Sequence, residues 1–318
     1  MKTITFNAMG SKILIAVDTE ESKIIDKALK AQDWFAQWEQ SFSRFRVTSE
    51  LCKVNRRPGF AVKVSDPFFE VMTFALHTEK CTNGLITPSI LKALESAGYD
   101  GSFESMIDQV GSVLRQPFNL NPEGQPIVLD ETNRTVTVSI GTQIDFGGIA
   151  KGWAAHQTML RLGKFAPVLV DAGGDIAISG PQTDGSDWPV GVANPFDKEN
   201  NLELLMLSSG GVATSGRDYR RWYAHDTWQH HIIDPRTSSP ANTDVLTATV
   251  LADNVMDAEV YAKVGLILGS KAGAEWLNDQ ANTQFLLVLE NGTIIKSPGF
   301  IKKQWNELCP QITHNLSI

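Results

Sequence analysis

Residues 188–251 contain five short runs: Trp188-Pro-Val-Gly-Val-Ala193, Leu202-Glu-Leu-Leu-Met-Leu207, Val212-Ala-Thr-Ser215, His230-His-Ile-Ile233 and Leu246-Thr-Ala-Thr-Val-Leu251. Each is rich in strand-forming residues and is bounded by Gly, Pro, Asn, Asp or Ser. No regular helical crossover separates them, which disfavours a doubly wound parallel sheet. The expectation is an α+β fold, with mixed or antiparallel sheets and flanking helices.

Working outward, residues 3–17 alternate loosely and read as a member of a strand pair before the polar turn Thr19-Glu-Glu-Ser22. From Lys23 to Gln40, Ile25, Leu29, Trp34 or Phe35, and Trp38 recur at helical spacing, and these tryptophans read as core. Helices are expected over Phe68–Thr82 and Pro88–Ala97, ending before Asn83-Gly84 and before Gly98. Strands follow at Ile127–Leu129 and Thr135–Ser139, then a helix over Lys151–Leu162, a strand at Val168–Val170, and a late helix over Asp257–Leu268. With no repeat, low-complexity tract or linker of biased composition, residues 1–318 are expected to form a single domain without an internal boundary.

Bulk properties exclude some classes. A net charge of −8 and a pI near 5.3 argue against a nucleic-acid partner, which needs a basic face. Cys52, Cys81 and Cys309 are far apart and odd in number, so they read as ordinary buried or half-buried thiols. No run approaches the roughly 20 apolar residues that span a bilayer, and membrane insertion is not expected. The first residues, Met1-Lys-Thr-Ile-Thr-Phe-Asn-Ala-Met-Gly10, lack the apolar core of a secretory signal, and the expected location is the cytoplasm.

The chemistry concentrates at glycine-punctuated segments. Asp145-Phe-Gly-Gly-Ile-Ala-Lys-Gly152 runs into Trp153-Ala-Ala155, so a glycine turn with one lysine opens a helix. Unpaired N–H groups at such a start attract anions, although the same string also suits a plain tight turn. It is neither a Walker A loop nor a dinucleotide GxGxxG. Asp171-Ala-Gly-Gly-Asp175 fits either a hairpin corner or a ligand approach, and Gly210–Gly216 reads as a further glycine-flanked loop with two hydroxyls. His230-His-Ile-Ile-Asp-Pro-Arg-Thr237 places imidazole, carboxylate and guanidinium together; on a strand, His231 and Ile233 would share one face. His231 suits proton transfer from a hydroxyl, and Arg236 suits a phosphate grip, with a structural histidine as the alternative. Glu259 and Lys263, four apart on a helix, share a face.

Taken in order, Ala8-Met9-Gly10, Phe42-Ser-Arg-Phe45 with Ser49-Glu50 and Asn55, Leu94–Tyr99, Asp145–Gly152, Asp171–Asp175, Ala213–Gly216, His231–Thr237 and Ala258–Gly269 resemble the ApbE-type FAD:protein FMN transferases. The resemblance spans residues 6 to about 277. It implies an ApbE-like fold with FAD in a cleft between two subdomains. It also implies an activity that passes the FMN part of FAD to a threonine hydroxyl on an acceptor protein with an FMN-binding domain, releasing AMP with Mg²⁺. Carried over by motif, Met9, Phe45, Ala97, Gly98, Tyr99, Asp145, Lys151 and Ile233 would bind FAD. His231 would handle the acceptor proton, with Asp234 and Arg236 orienting or neutralising.

The metal motif departs from the family. The resemblance implies Mg²⁺ held by an aspartate and a threonine of Ala-Asp-Ala-x-Ala-Thr, together with the carbonyl at Gly148. The aligned run here is Ala258-Glu-Val-Tyr-Ala-Lys263. Glu259 remains a possible ligand, whereas a charged lysine has no lone pair to offer. Two outcomes follow: Lys263 takes the metal's place beside the diphosphate, or the chain binds FAD without processing it. A noncatalytic FAD-binding protein and an FAD pyrophosphatase releasing FMN and AMP are the alternatives to transfer. Ser238 stands where the family has glycine, which predicts a local turn adjustment.

Overall fold

The computed structural model describes residues 1–101, 127–224, 227–301 and 303, so Cys309 lies outside the described residues. Its centre is an eight-stranded sheet of Lys2–Ala8, Ser11–Val17, Val168–Ala172, Asp175–Ile178, Gly210–Gly216, Val245–Ala252, Gln284–Leu289 and Ile294–Lys296. Spatial order equals chain order, and every neighbouring pair is antiparallel. The expected α+β architecture is therefore present, built as one long meander with insertions.

Both faces of the sheet are covered, and alternation along each strand decides what goes where. Ile13, Ile15 and Val17 join the core beneath the helices, while Leu14 and Ala16 pack on the opposite side. That side is closed by the hairpin of Trp188–Asn194 and Asp197–Leu207, which contributes Trp188, Val190, Val192, Leu205 and Leu207. The helical side holds Ala31–Phe42, Asp66–Cys81, Ala150–Leu162 and Val255–Leu268. Trp38 meets Phe35 and Trp153 edge to face at 5.5 and 5.1 Å, so this tryptophan is core as expected.

Tight turns depend on glycine where backbone comes closest. Met9 and Gly10 take φ of +52° and +63°, and Gly173 and Gly174 take +70° and +93°. Both pairs form two-residue hairpins with both central residues left-handed, the twist that suits adjoining strands. A methyl group on Gly211 would stand 2.1 Å from the Val255 nitrogen, so this glycine lets the Val255–Leu268 helix start directly on a central strand.

Several boundaries differ from expectation. The helix predicted over residues 23–40 is two helices, Ser22–Leu29 and Ala31–Phe42, turning at Lys30 between fully buried Ala28 and Ala31. Small side chains on both sides of the turn let the two helices lie close to the sheet. The helix at 88–97 shortens to Leu91–Ser96, because the Pro88 carbonyl instead accepts from the Asp145 amide. Gly210–Gly216 is a central strand, as the Val212–Ser215 run predicts, and not the loop that its flanking glycines suggest. His230–Ile233 is not one strand: Thr227–His230 and Ile233–Asp234 belong to different small sheets. The cause is the His230 ring, whose Nδ1 accepts from the Ile232 amide at 3.3 Å and pulls the chain out of its pleat. Cys52 is half-buried as expected, whereas Cys81 is exposed, contrary to its reading as a buried or half-buried thiol. Among the described residues no helix is long and apolar enough to cross a membrane.

Candidate active site

A cavity of about 450 Å³ opens between the Met9-Gly10 turn, residues 42–46 and 85–99, the Asp145–Lys151 turn and His231–Ile233. Its size is that of a cofactor site. Met9, Phe45, Tyr99 and Ile233 line its apolar part. Asp145, Gly148, Lys151, His231 and Lys263 line its polar part. Residues from segments more than 200 positions apart are thus assembled by the meander and its insertions.

Local backbone rules explain the aromatic end. The Leu91–Ser96 helix stops in a Schellman turn: the Tyr99 amide donates to the Leu94 carbonyl and the Gly98 amide to that of Glu95, with Gly98 at φ +93°. The turn aims Tyr99 at the cavity and leaves Ala97 and Gly98 off its lining. Ala97 supports the wall: its carbonyl accepts from Trp222 Nε1 at 2.8 Å, and Trp222 stacks on Tyr99 at 5.3 Å.

Arg44, which the sequence analysis left without a role, lies among these rings. Its guanidinium sits 4.6 Å from the Phe45 centroid and 4.4 Å from that of Tyr99. Its Nε approaches Asp145 Oδ2 at 3.7 Å, but Nη1 and Nη2 are buried without a hydrogen-bond partner among the described residues. A buried unpaired donor is costly, so these two nitrogens await an acceptor.

The polar end differs from a backbone cradle. The Gly147 amide donates to Asp145 Oδ1, those of Ile149 and Ala150 donate to the Phe146 carbonyl, and that of Gly152 donates to Glu259 Oε2. Most of the turn's amides are thus satisfied internally, and the positive charge facing the cavity comes from side chains. Lys151 pairs with Asp175 and stands 3.5 Å from Glu259 Oε1. Lys263 Nζ lies 3.1 Å from Glu259 Oε1 and 3.3 Å from the Glu259 carbonyl. The Asp171–Asp175 segment is a hairpin corner that also delivers Asp175 to Lys151.

Burial and charge act together on this cluster. Burial opposes the Lys151 charge, but Asp175 and Glu259 outweigh it and hold its pKa above the usual lysine value. Burial likewise opposes the Glu259 charge, yet Lys263 and Lys151 keep this carboxylate below its ordinary range. Asp175 is pushed up to about 6 by burial and then by the neighbouring Glu259 charge.

Glu259 is 1 % exposed and lies behind the cavity wall, with Oε1 facing two ammonium groups and Oε2 taken by an amide. Lys263 packs against Gly148, its Cε 3.4 Å from where a methyl on that glycine would stand. Among the described residues, no three His, Cys, Asp or Glu side chains are arranged to hold a metal. A dication about 4 Å from the Lys263 ammonium would meet repulsion on the order of 8 kcal/mol at an effective dielectric of about 20. The Gly148 and Glu259 set expected for Mg²⁺ therefore does not fit that ion.

The two adjacent histidines separate cleanly. His230 is buried, with Nε2 donating to the Ala241 carbonyl at 3.0 Å, and is structural. His231 lines the cavity; its Nδ1 makes a long 3.4 Å bond to the Arg220 carbonyl, which assigns the proton to Nδ1 and leaves Nε2 as a base. Burial, then the charges of Arg220, His230 and Lys263, lower its pKa to about 3, so the ring is neutral across the ordinary range.

Asp234 and Arg236 correct the expectation of a phosphate grip. Arg236 Nε and Nη2 both bind the Asp234 carboxylate, at 2.9 and 2.8 Å, and neither residue lines the cavity. The chain turns at Pro235, so the guanidinium folds back onto its neighbour. Arg220 lines the cavity in its stead, bonded to the Gly10 carbonyl at 3.0 Å. Ser238 stands at φ +55°, in the left-handed region that favours glycine.

The sequence has a family counterpart. The ApbE family model matches residues 9–287. The chain belongs to the ApbE family. Among its ApbE relatives, the FAD:protein FMN transferase of Chlamydia muridarum is 32 % identical over 276 residues, covering 84 % of this chain and 82 % of that protein. The FAD:protein FMN transferase of Klebsiella pneumoniae is 26 % identical over 298 residues, covering 91 % and 89 %. A crystal structure of the ApbE protein of Thermotoga maritima superposes with a TM-score of 0.80 at 27 % identity, covering 96 % of this chain and 99 % of that one. The antiparallel meander with its helical layer is thus an ApbE fold.

Proposed function

We propose that this chain transfers the FMN moiety of FAD to a threonine hydroxyl of an acceptor flavoprotein and releases AMP. The observation that carries the reading is a single cavity with an aromatic and apolar wall at one end and two lysines beside a neutral histidine at the other. That arrangement suits a ligand with an aromatic ring system joined to a diphosphate. The names of the curated relatives point the same way.

In this reading Tyr99, Phe45, Met9 and Ile233 hold a ring system of FAD, and Arg44 supplies hydrogen-bond donors to it. Lys151 and Lys263 face the diphosphate, where phosphoryl transfer needs positioning and positive charge rather than covalent chemistry from the protein. The acceptor O–H bond breaks, its proton passes to His231 Nε2, the new O–P bond forms at the FMN phosphorus, and the P–O bond to AMP breaks. The anionic diphosphate offsets the cations around His231 and raises its basicity when bound. Asp234 and Arg236 hold the turn that presents His231 and Ile233.

The test is incubation with FAD and an FMN-binding acceptor domain, followed by denaturation. Flavin fluorescence that stays with the acceptor supports transfer. Release of free FMN would replace the reading with hydrolysis, and unchanged FAD would leave a binding protein.

A further inference from the structure

We infer that Lys263 is the resident cation of this site, its ammonium standing where a divalent ion would sit beside Gly148 and Glu259, so that the chain acts on a diphosphate without metal. The nature of the ligand rests on the transfer reading above; the replacement of metal by lysine rests on geometry.

Four observations converge. Lys263 lines the cavity, and its stem lies against Gly148. Two of its three N–H groups are taken by Glu259, through Oε1 at 3.1 Å and the carbonyl at 3.3 Å, which leaves one for an anion in the cavity. Glu259, the carboxylate that would have to bind a metal, is buried and occupied on both oxygens by Lys263, Lys151 and the Gly152 amide. Among the described residues no three His, Cys, Asp or Glu side chains are arranged to hold a metal elsewhere. The side chain is also held in place before any ligand arrives, because Glu259 anchors it one helical turn away. A lysine is a point charge suited to phosphate, and one fixed by a buried carboxylate needs little reorganisation.

The deciding measurements are Mn²⁺ binding, read by electron paramagnetic resonance on the FAD-loaded protein, and transfer in EDTA compared with transfer in Mg²⁺. Wild type should bind no Mn²⁺ at the cavity and transfer equally in both conditions. Lys263→Thr removes the charge and supplies an oxygen ligand; it should gain Mn²⁺ binding, lose roughly 100-fold in EDTA and recover in Mg²⁺. Lys263→Arg keeps the charge and should remain indifferent to metal, which guards against a folding defect in the threonine variant. Stoichiometric Mn²⁺ bound by the wild-type FAD complex, or wild-type transfer abolished by EDTA and restored by Mg²⁺, would overturn the inference. If wild type shows no transfer in either condition, the functional reading fails, while Mn²⁺ binding still decides for or against Lys263.

Discussion

The Arg44 guanidinium lies 4.4 Å from the ring centroid of Tyr99, with two buried nitrogens that bind nothing among the described residues. A site poised in this way is preorganised for a ligand acceptor at the expense of the ligand-free state. Arg44→Met keeps the stem and removes the two unpaired donors together with the 3.7 Å approach to Asp145. FAD affinity should fall by tenfold to a hundredfold, about 1.5–3 kcal/mol for a hydrogen bond to a charged group, while the melting temperature of the ligand-free protein holds or rises. Titration of FAD by fluorescence quenching and a thermal melt check both halves. A lower melting temperature with unchanged affinity would make Arg44 structural.

His231→Ala should abolish transfer and leave FAD bound. Loss of a positioned general base typically removes about 10²–10⁴ in rate, and the ring contributes little to the cavity's apolar wall. Single-turnover transfer kinetics beside an FAD binding isotherm separate the two effects. A variant that turns over at the wild-type rate would take His231 out of the mechanism.

Much of this was legible in the sequence. Short strands without helical crossovers pointed to mixed or antiparallel sheets, and Gly173-Gly174 fitted a hairpin corner as one of two readings, the one that their positive φ angles satisfy. Met9, Phe45, Tyr99, Asp145, Lys151, His231, Ile233 and Lys263 were all named and all reach one cavity. The failures share a cause: a side chain's partner is set by tertiary context. Arg236 suggested a phosphate grip, yet the turn at Pro235 folds it onto Asp234. Arg220 was missed because its position follows from the hairpin in which Arg221 pairs with His230, and no local pattern fixes that register. Glycines at 147–152 suggested open amides, but the acceptor for Gly152 comes from Glu259, 107 residues away.

Lys151 couples two buried carboxylates, so its loss should be felt in stability as well as in ligand binding. Lys151→Met leaves Asp175 without its counter-ion in a buried setting, which typically costs about 3–5 kcal/mol. Lys151→Met with Asp175→Asn together should lose less than the sum of the two single changes, because the second removes the charge that the first leaves unpaired. Denaturant unfolding of the four proteins in the cycle gives the coupling directly. Strict additivity would mean that the pair contributes no net interaction.

His230 should set part of the acid limit of stability. Its ring uses both nitrogens, donating from Nε2 to the Ala241 carbonyl and accepting at Nδ1 from the Ile232 amide, so protonation forfeits the second bond. Burial lowers its folded pKa to about 4. The unfolded chain, with a histidine near 6.5, binds the proton first as pH falls, so stability declines from about pH 6.5 down to about 4 and is then level. The full span amounts to about 3 kcal/mol at about 1.4 kcal/mol per pH unit. Asp175, whose folded pKa is raised to about 6, acts in the opposite sense over an overlapping window, which is why wild type alone is ambiguous. The informative comparison is therefore with His230→Gln, which retains the Asp175 contribution. Its stability should fall less steeply than wild type between pH 6.5 and 4. Parallel stability curves for the two proteins over that range would show that His230 is protonated in the fold as readily as in the open chain.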